Sequence, residues 1–433
     1  MANDDQARAD HPPNDEAAAE PPAAPPSALS RRTLLTGAAS LAGLTAAQSV
    51  LSSLNAAPIS GPGPTRITED PTKVPGRPPS PYGKRATFER TTRLAGATSS
   101  LTPLQALHGI VTPSALHFER HHNGVPVIEP ARHRLLVHGL VERPMTFTLE
   151  EITRFPSRSR LAFIECSGNS RGEWHTPAGR TVQETHGLFS TSEWTGVPLA
   201  LLLREVGAKP EATWMLAEGS DAAVMSRSIP LALALEEALI CYAQNGEALR
   251  PEQGYPLRLL LPGWEGNANI KWLRRLKLGT APFMTRDETA HYTDLMPDGT
   301  ARQFTLDMDA KSVITSPSGG QQVRAGFVEI RGLAWSGRGR ITGVDVSTDG
   351  GQAWHQAQLD DPVLPKCATA FRFPWRWDGQ EATLQSRCTD ETGYVQPTRQ
   401  ALVAVRGINS SYHYNAIQSW LVTLDGAVRN VHV

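Results

Sequence analysis

The chain has 433 residues, with 42 Lys and Arg against 43 Asp and Glu, a formal net charge of −1 and 40% hydrophobic residues. That charge balance excludes bulk attraction to nucleic acid, and the length leaves room for two domains behind an N-terminal signal. The four cysteines, Cys166, Cys241, Cys367 and Cys388, form no C-x-x-C or C-x-x-C-H, which argues against structural zinc, iron–sulfur clusters and a covalent c-type haem in this chain.

In chain order, residues 1–57 read as a signal region. Thirty Pro-, Ala- and Asp-rich residues precede the arginine pair of Ser30-Arg31-Arg32-Thr33-Leu34-Leu35, and an Ala/Gly/Leu-rich run continues to about Leu54. The pair and the run fit a twin-arginine export signal, hence the periplasm. The run is too weak and too interrupted by Gly37 and Gly43 for a permanent span, and no later segment approaches transmembrane length. Residues 58–99, with GPGPT and PGRPPSPYG, read as an extended linker.

Residues 100–308 mix short strands and helices. HRLLVHGLV predicts a strand, and TLEEITRF a short helix capped by Thr148 with Glu151 closing a capping box. VPLALLLREVG predicts a helix ending at Gly207, LALALEEALICYA a helical pattern burying Cys241, and PLRLLLPG a buried strand. No β-α-β alternation emerges, so the class is α+β. Over residues 309–433 the period becomes that of strands, as in VEIRGLAWSG, ITGVDVSTDGG and FRFPWRW. Turns such as Asp349-Gly350-Gly351 divide them, and this predicts an immunoglobulin-like β-sandwich with Trp335 and Trp354 in its core. Cys367 and Cys388 could pair in an oxidising compartment, although proteins folded before export seldom rely on a disulfide.

The most informative segment is LAFIECSGNSRGEW, Leu161 to Trp174. An apolar strand delivers Cys166 into a Ser167-Gly168-Asn169 turn, with Arg171 five residues on. A thiol at such a turn faces a cleft, and a nearby guanidinium favours the thiolate that binds soft metals or attacks electrophiles; a buried inert cysteine is the alternative. Other polar residues recur in apolar or Gly-rich surroundings: Phe118, Arg120, His121 and His122 in HFERHHNGVP, Asp221 in AEGSD, then Gln253, Arg258, Asn267, Asn269 and Lys271 in QGYPLRLLLPGWEGNANIKWLRR, and Tyr292. Cations in such settings are costly unless an anion balances them, so a phosphate-bearing cofactor and an oxyanion substrate are expected. Scattered surface charge is the alternative for any one residue. The adjacent histidines would point apart on a strand and so make a poor zinc pair.

The ordered set F-x-R-x-H, E-C-S-G-N-x-R, E-G-x-D, G-Y-P-L-R-L-L-L-P-G and K-W-L resembles the sulfite oxidase family of molybdenum enzymes. GLAWSGRGRITGVDVSTDGGQAWHQA resembles that family's immunoglobulin-like dimerisation domain. The resemblance implies an α+β molybdopterin-binding domain followed by the sandwich, and one molybdenum–molybdopterin held through Cys166. It assigns Phe118, His122, Asp221, Gln253, Arg258, Asn269, Ile270 and Lys271 to the cofactor, and Arg120, Arg171, Tyr292 and Arg372 to the substrate side. Gln253 stands where the family usually carries histidine, and Asn269 where it often carries serine. With the twin-arginine signal and GWEGNANIKWLRRLKL, the chain most resembles the sulfane dehydrogenase branch of Sox-type sulfur oxidation. That implies a sulfur carrier protein as substrate, a c-type cytochrome subunit as electron acceptor, and a homodimer or heterotetramer. Free sulfite dehydrogenation is the alternative.

Overall fold

The computed structural model describes residues 75–433; the signal region and the first part of the linker lie outside them. Among the described residues the first element is Leu94–Ala95, which pairs with Ser99–Leu101, itself paired with Glu119–Arg120. This small sheet carries the F-x-R-x-H segment.

Two larger sheets follow, mixed with short helices as the α+β expectation requires. One runs Glu247–Ala248, Leu239–Gln244, Phe189–Pro198, Arg158–Glu165, with Arg258–Leu260 also paired to Leu239–Gln244. The other runs Met145–Phe147, Leu135–Gly139, Leu273–Gly279, Trp214–Gly219, Ser226–Pro230. The helix Leu149–Thr153 begins at Thr148 with the capping box to Glu151 in place. Leu199–Val206 ends at Gly207, whose φ of 68° is left-handed and suits a residue without Cβ. Its Leu199, Leu202, Leu203 and Val206 are buried in a core shared with Leu273, Leu276 and Leu278. The helical reading of LALALEEALICYA holds only for Leu231–Glu237. Ala238 turns extended, and Cys241 is a core residue on the strand Leu239–Gln244. There, hydrogen bonding to both neighbouring strands outweighs the helical periodicity.

From Lys311 onward two antiparallel sheets face each other. One is Lys311–Ser316, Gly326–Trp335, Thr369–Trp377, Gln358–Leu359; the other is His355–Gln356, Ile341–Ser347, Ala382–Asp390, Ser419–Val422, Val428–Val431. Trp335 is fully buried, whereas Trp354 lies half-buried at an edge, stacked under Arg387 at 4.4 Å. Cys367 and Cys388 are buried free thiols. The sandwich core extends into the preceding sheets. Phe163, Val182 and Phe189 share its cluster, and Phe189 stacks on Trp335 at 3.9 Å. Arg85–Val433 is accordingly one compact unit. At the seam Gly263 and Gly337 meet backbone to backbone, both bonded to Met308: its N–H donates to the Gly263 carbonyl at 2.9 Å, and its carbonyl accepts from Gly337 N–H at 2.7 Å.

Candidate molybdopterin site

The strand Arg158–Glu165 hydrogen-bonds to Phe189–Pro198 over its whole length, and Cys166 N–H extends the pairing to the Leu188 carbonyl at 3.0 Å. The chain then turns, with Asn169 N–H bonding the Cys166 carbonyl at 2.8 Å. Behind the cysteine lies Gly266, where a Cβ would stand 2.9 Å from the Glu165 carbonyl and 3.3 Å from Cys166 Cα. Only a residue without a side chain lets these two loops approach so closely.

Cys166 opens onto a cavity lined also by Phe118, Arg120, His122, Asp221, Gln253, Arg258, Asn269, Ile270, Lys271 and Tyr292. Eleven of the thirteen residues expected from the sequence therefore meet in one cleft, drawn from five segments of the chain. Arg171 and Arg372 do not line it. Arg171 is exposed and borders a separate depression with Gly168 to Glu173. Arg372 is half exposed on Thr369–Trp377, where it is paired bidentately with Asp360 at 2.8 Å. Its neighbour across the strand pair is Gln358, and the outward register leaves it on the surface.

The guanidinium that acts on Cys166 is thus Arg120. Burial pushes the Cys166 thiol up, opposed by the Gly168 backbone N–H and by Arg120; a bound cation would reverse that balance. Burial likewise pushes the Tyr292 phenol far up, and the charge at Cys166 adds to it. Tyr292 is therefore a proton donor at any ordinary pH. Its hydroxyl lies 3.1 Å from His122 Nε2. Its φ of 50° is a left-handed conformation that a non-glycine residue adopts at a cost, as functional sites often do. Burial, then Arg120, holds His122 below its usual value. The neighbouring His121 lines the same cavity, but both its ring nitrogens are engaged, by Glu119 at 2.7 Å and by Lys271 at 2.8 Å. Among the described residues no three His, Cys, Asp or Glu side chains gather as a metal site.

The other end of the cleft is cationic. Arg258 is buried over the Trp194 ring at 4.6 Å, and two of its N–H groups bond the Gln253 and Asn269 carbonyls at 3.0 and 3.2 Å. Its Nε has no partner. Lys271 Nζ reaches the carbonyls of Arg120 and Glu252, at 3.2 and 3.1 Å, besides His121, and lies 4.5 Å from the centre of the Trp272 ring. Burial and the adjacent Arg258 lower Lys271 to about 7, and burial lowers Arg258 to about 10. Two buried cations without a carboxylate contact, one with an orphan donor, fit a phosphate-bearing group. Gln253 does not join them as a charge: its amide donates to the Phe118 carbonyl at 2.8 Å and so fixes the F-x-R-x-H segment. Asn269 is structural in the same sense, with its side-chain oxygen accepting from Leu261 N–H at 2.7 Å.

Sequence reasoning missed several participants. His117 and Trp272 line the cleft; burial lowers His117 to about 3, so it is a neutral ring. Two buried networks flank the cysteine turn. Glu165 accepts from Lys311 Nζ at 3.0 Å, Trp335 Nε1 at 2.6 Å and Asn169 Nδ2 at 2.9 Å. Glu265 pairs with Arg227 at 2.9 Å, and Asn267 bridges it to Ser167 Oγ, with distances of 2.7 and 3.2 Å. Burial alone would raise Glu265, but Arg227 and His413 outweigh it and hold the carboxylate ionised. The one available signal was a Glu at each of the two turns, E-C-S and W-E-G.

A strand-end thiol facing a buried cationic pair, with a β-sandwich sealed behind it, fits a phosphate-bearing cofactor held through a thiolate, and the family matches make the class a molybdopterin-binding oxidoreductase. Residues 122–286 match the oxidoreductase molybdopterin binding domain and residues 302–419 the Mo-co oxidoreductase dimerisation domain. Sulfite oxidase of Gallus gallus is 31% identical over 330 residues, covering 70% of this chain and 71% of that protein. Mitochondrial sulfite oxidase of Mus musculus is 31% identical over 335 residues, covering 70% and 60%; this chain thus spans about three-fifths of that relative's length. The crystal structure of the sulfane dehydrogenase SoxCD from Paracoccus pantotrophus is similar with a TM-score of 0.81 at 45% identity, covering 86% of this chain and 100% of that one. The chain belongs to the sulfite oxidase family, and its cofactor is molybdenum–molybdopterin.

Proposed function

We propose that the protein is a periplasmic sulfane dehydrogenase subunit that oxidises sulfur bound to a carrier protein and passes the electrons to a separate c-type cytochrome. The observation that carries this reading is the 45% identity over the full length of the sulfane dehydrogenase chain, against 31% with the sulfite oxidases. The cleft supports it. Of the arginines expected on the substrate side, Arg120 alone lines the cavity. A small dianion such as sulfite is best balanced by more than one cation, whereas a neutral or singly charged sulfane group needs one.

In this reading the Cys166 thiolate is the protein's ligand to molybdenum, a soft donor for a metal that changes oxidation state. Arg258 and Lys271 neutralise the phosphate, Asp221 and His122 hold the pterin, and Phe118 packs beside it. When bound, the group supplies two-electron oxygen-atom transfer to sulfur. Arg120 orients the incoming sulfur and balances charge as it redistributes. Tyr292, held protonated, donates a hydrogen bond towards the reacting atoms. The chain carries no C-x-x-C-H, so electrons leave to a haem partner. The dimerisation-type sandwich provides for a homodimer or heterotetramer, and Arg31-Arg32 for export.

The test is steady-state oxidation of carrier-bound sulfane sulfur and of free sulfite, each with and without a c-type cytochrome. Fast turnover is expected only with the carrier-bound substrate and the cytochrome together. Oxidation of free sulfite at an equal rate with a small soluble acceptor would replace this reading by sulfite dehydrogenase.

A further inference from the structure

The turn bearing Cys166 is held from both sides by groups that come from far along the chain. Before it, Glu165 is completely buried, and its carboxylate is bound by Lys311 and Trp335, both from strands of the sandwich. The Lys311 ammonium, itself 1% exposed, also donates to Ser170 Oγ at 3.0 Å, on the far side of the cysteine. After it, the Ser167 carbonyl accepts from the His413 backbone N–H at 2.8 Å, and the His413 ring lies 3.4 Å from Glu265. The cleft-side segments therefore supply the cysteine, while the C-terminal part supplies the groups that fix its backbone.

We propose that Lys311 and Trp335 are positioning residues for the metal's protein ligand, setting the direction of the Cys166 sulfur through Glu165. An apolar seam would suffice to hold the sandwich in place, as Phe189 on Trp335 already does. A buried ion pair is a poor source of stability, and in some proteins its return is a fixed geometry. Here the pair is centred on the residue preceding the cysteine and reaches round to Ser170. A thiolate that must meet a metal within tenths of an ångström needs such support.

The inference rests on Cys166 being the molybdenum ligand. The experiment compares the purified holoenzyme with Lys311→Met, Trp335→Phe and Cys166→Ser, reading molybdenum content and the sulfur-to-metal charge-transfer spectrum. Cys166→Ser should abolish the thiolate band; if the band persists, the ligand assignment itself fails. Lys311→Met should lower molybdenum occupancy severalfold, in line with roughly 10–100-fold losses for residues that orient ligands, and shift the band in the fraction that remains loaded. Trp335→Phe, which keeps an aromatic ring against Phe189 but deletes the N–H to Glu165, should shift it less and in the same direction. If Lys311→Met does not fold, Trp335→Phe decides. Unit occupancy with an unshifted band in every folded positioning variant, while Cys166→Ser loses the band, would overturn the clamp and leave the ligand standing.

Discussion

Replacing Lys271 by Met separates what its ammonium costs the empty fold from what it gives the cofactor. Burial and Arg258 lower Lys271 from 10.5 to about 7. At about 1.4 kcal/mol per pH unit, keeping it charged below pH 7 costs the apoprotein roughly 5 kcal/mol. Its three polar contacts, to two carbonyls and His121, return about 1 kcal/mol each. The Met variant of the apoprotein should therefore be more stable at pH 6 by about 2 kcal/mol. With an unfolding entropy of ~2.1 cal/mol/K per residue, that is a rise of about 3 °C in melting temperature for a unit of this size. The sign with pH follows from the lowered value. Between about 7 and 10.5 the unfolded chain still holds a proton that the folded chain has lost, so wild-type stability rises across that window. The Met variant lacks this rise, so its advantage should fade and reverse by pH 10. Cofactor uptake should move the other way, about 10–100-fold weaker for the loss of one charge-assisted phosphate contact. The assay is scanning calorimetry of apoprotein at pH 6 and pH 10, followed by reconstitution. A variant apoprotein that melts below wild type at pH 6 would refute the burial cost assigned to the ammonium, and one that takes up cofactor normally would refute the assignment of Lys271 to the phosphate.

Two further predictions rest on other parts of the chain. In Gly337→Ala a Cβ would overlap the Gly263 carbonyl oxygen and crowd Met308 N and O at 2.8 Å. Because the obstacle is backbone, denaturant unfolding should show a loss of about 3 kcal/mol, and a variant as stable as wild type would show that the seam can open without cost. Arg31→Lys with Arg32→Lys should leave the folded protein in the cytoplasm, followed by cell fractionation; undiminished periplasmic protein would mean that export uses another route.

Local signals were legible because the physics behind them is local. Thr148 and Glu151 cap a helix three residues apart, Gly207 ends another in the left-handed region, and the apolar run before Cys166 is a strand that the next turn must expose. The cleft's own lining was legible for a related reason: a buried cation in an apolar segment, such as Arg258 or Lys271, declares that it needs an anion wherever the fold takes it. What sequence could not decide is which way a side chain turns once strands pair. Arg171 and Arg372 carry the right charge, but an exposed turn and the register against Gln358–Leu359 take them out of the cleft. Trp354 looks like Trp335 in pattern and ends at an edge. Cys241 sits in a helical period and is drawn into a strand by two neighbours. The groups that hold the cysteine turn were beyond sequence for the plainest reason. Lys311 and Trp335 lie 146 and 170 residues from Glu165, and until the sandwich folds against the sheet, a lysine at the start of one strand and a glutamate at the end of another have no cause to be read together. Composition and local order determined the elements and the cofactor's electrostatics; burial in the folded chain decided which charges face the cleft and which brace it.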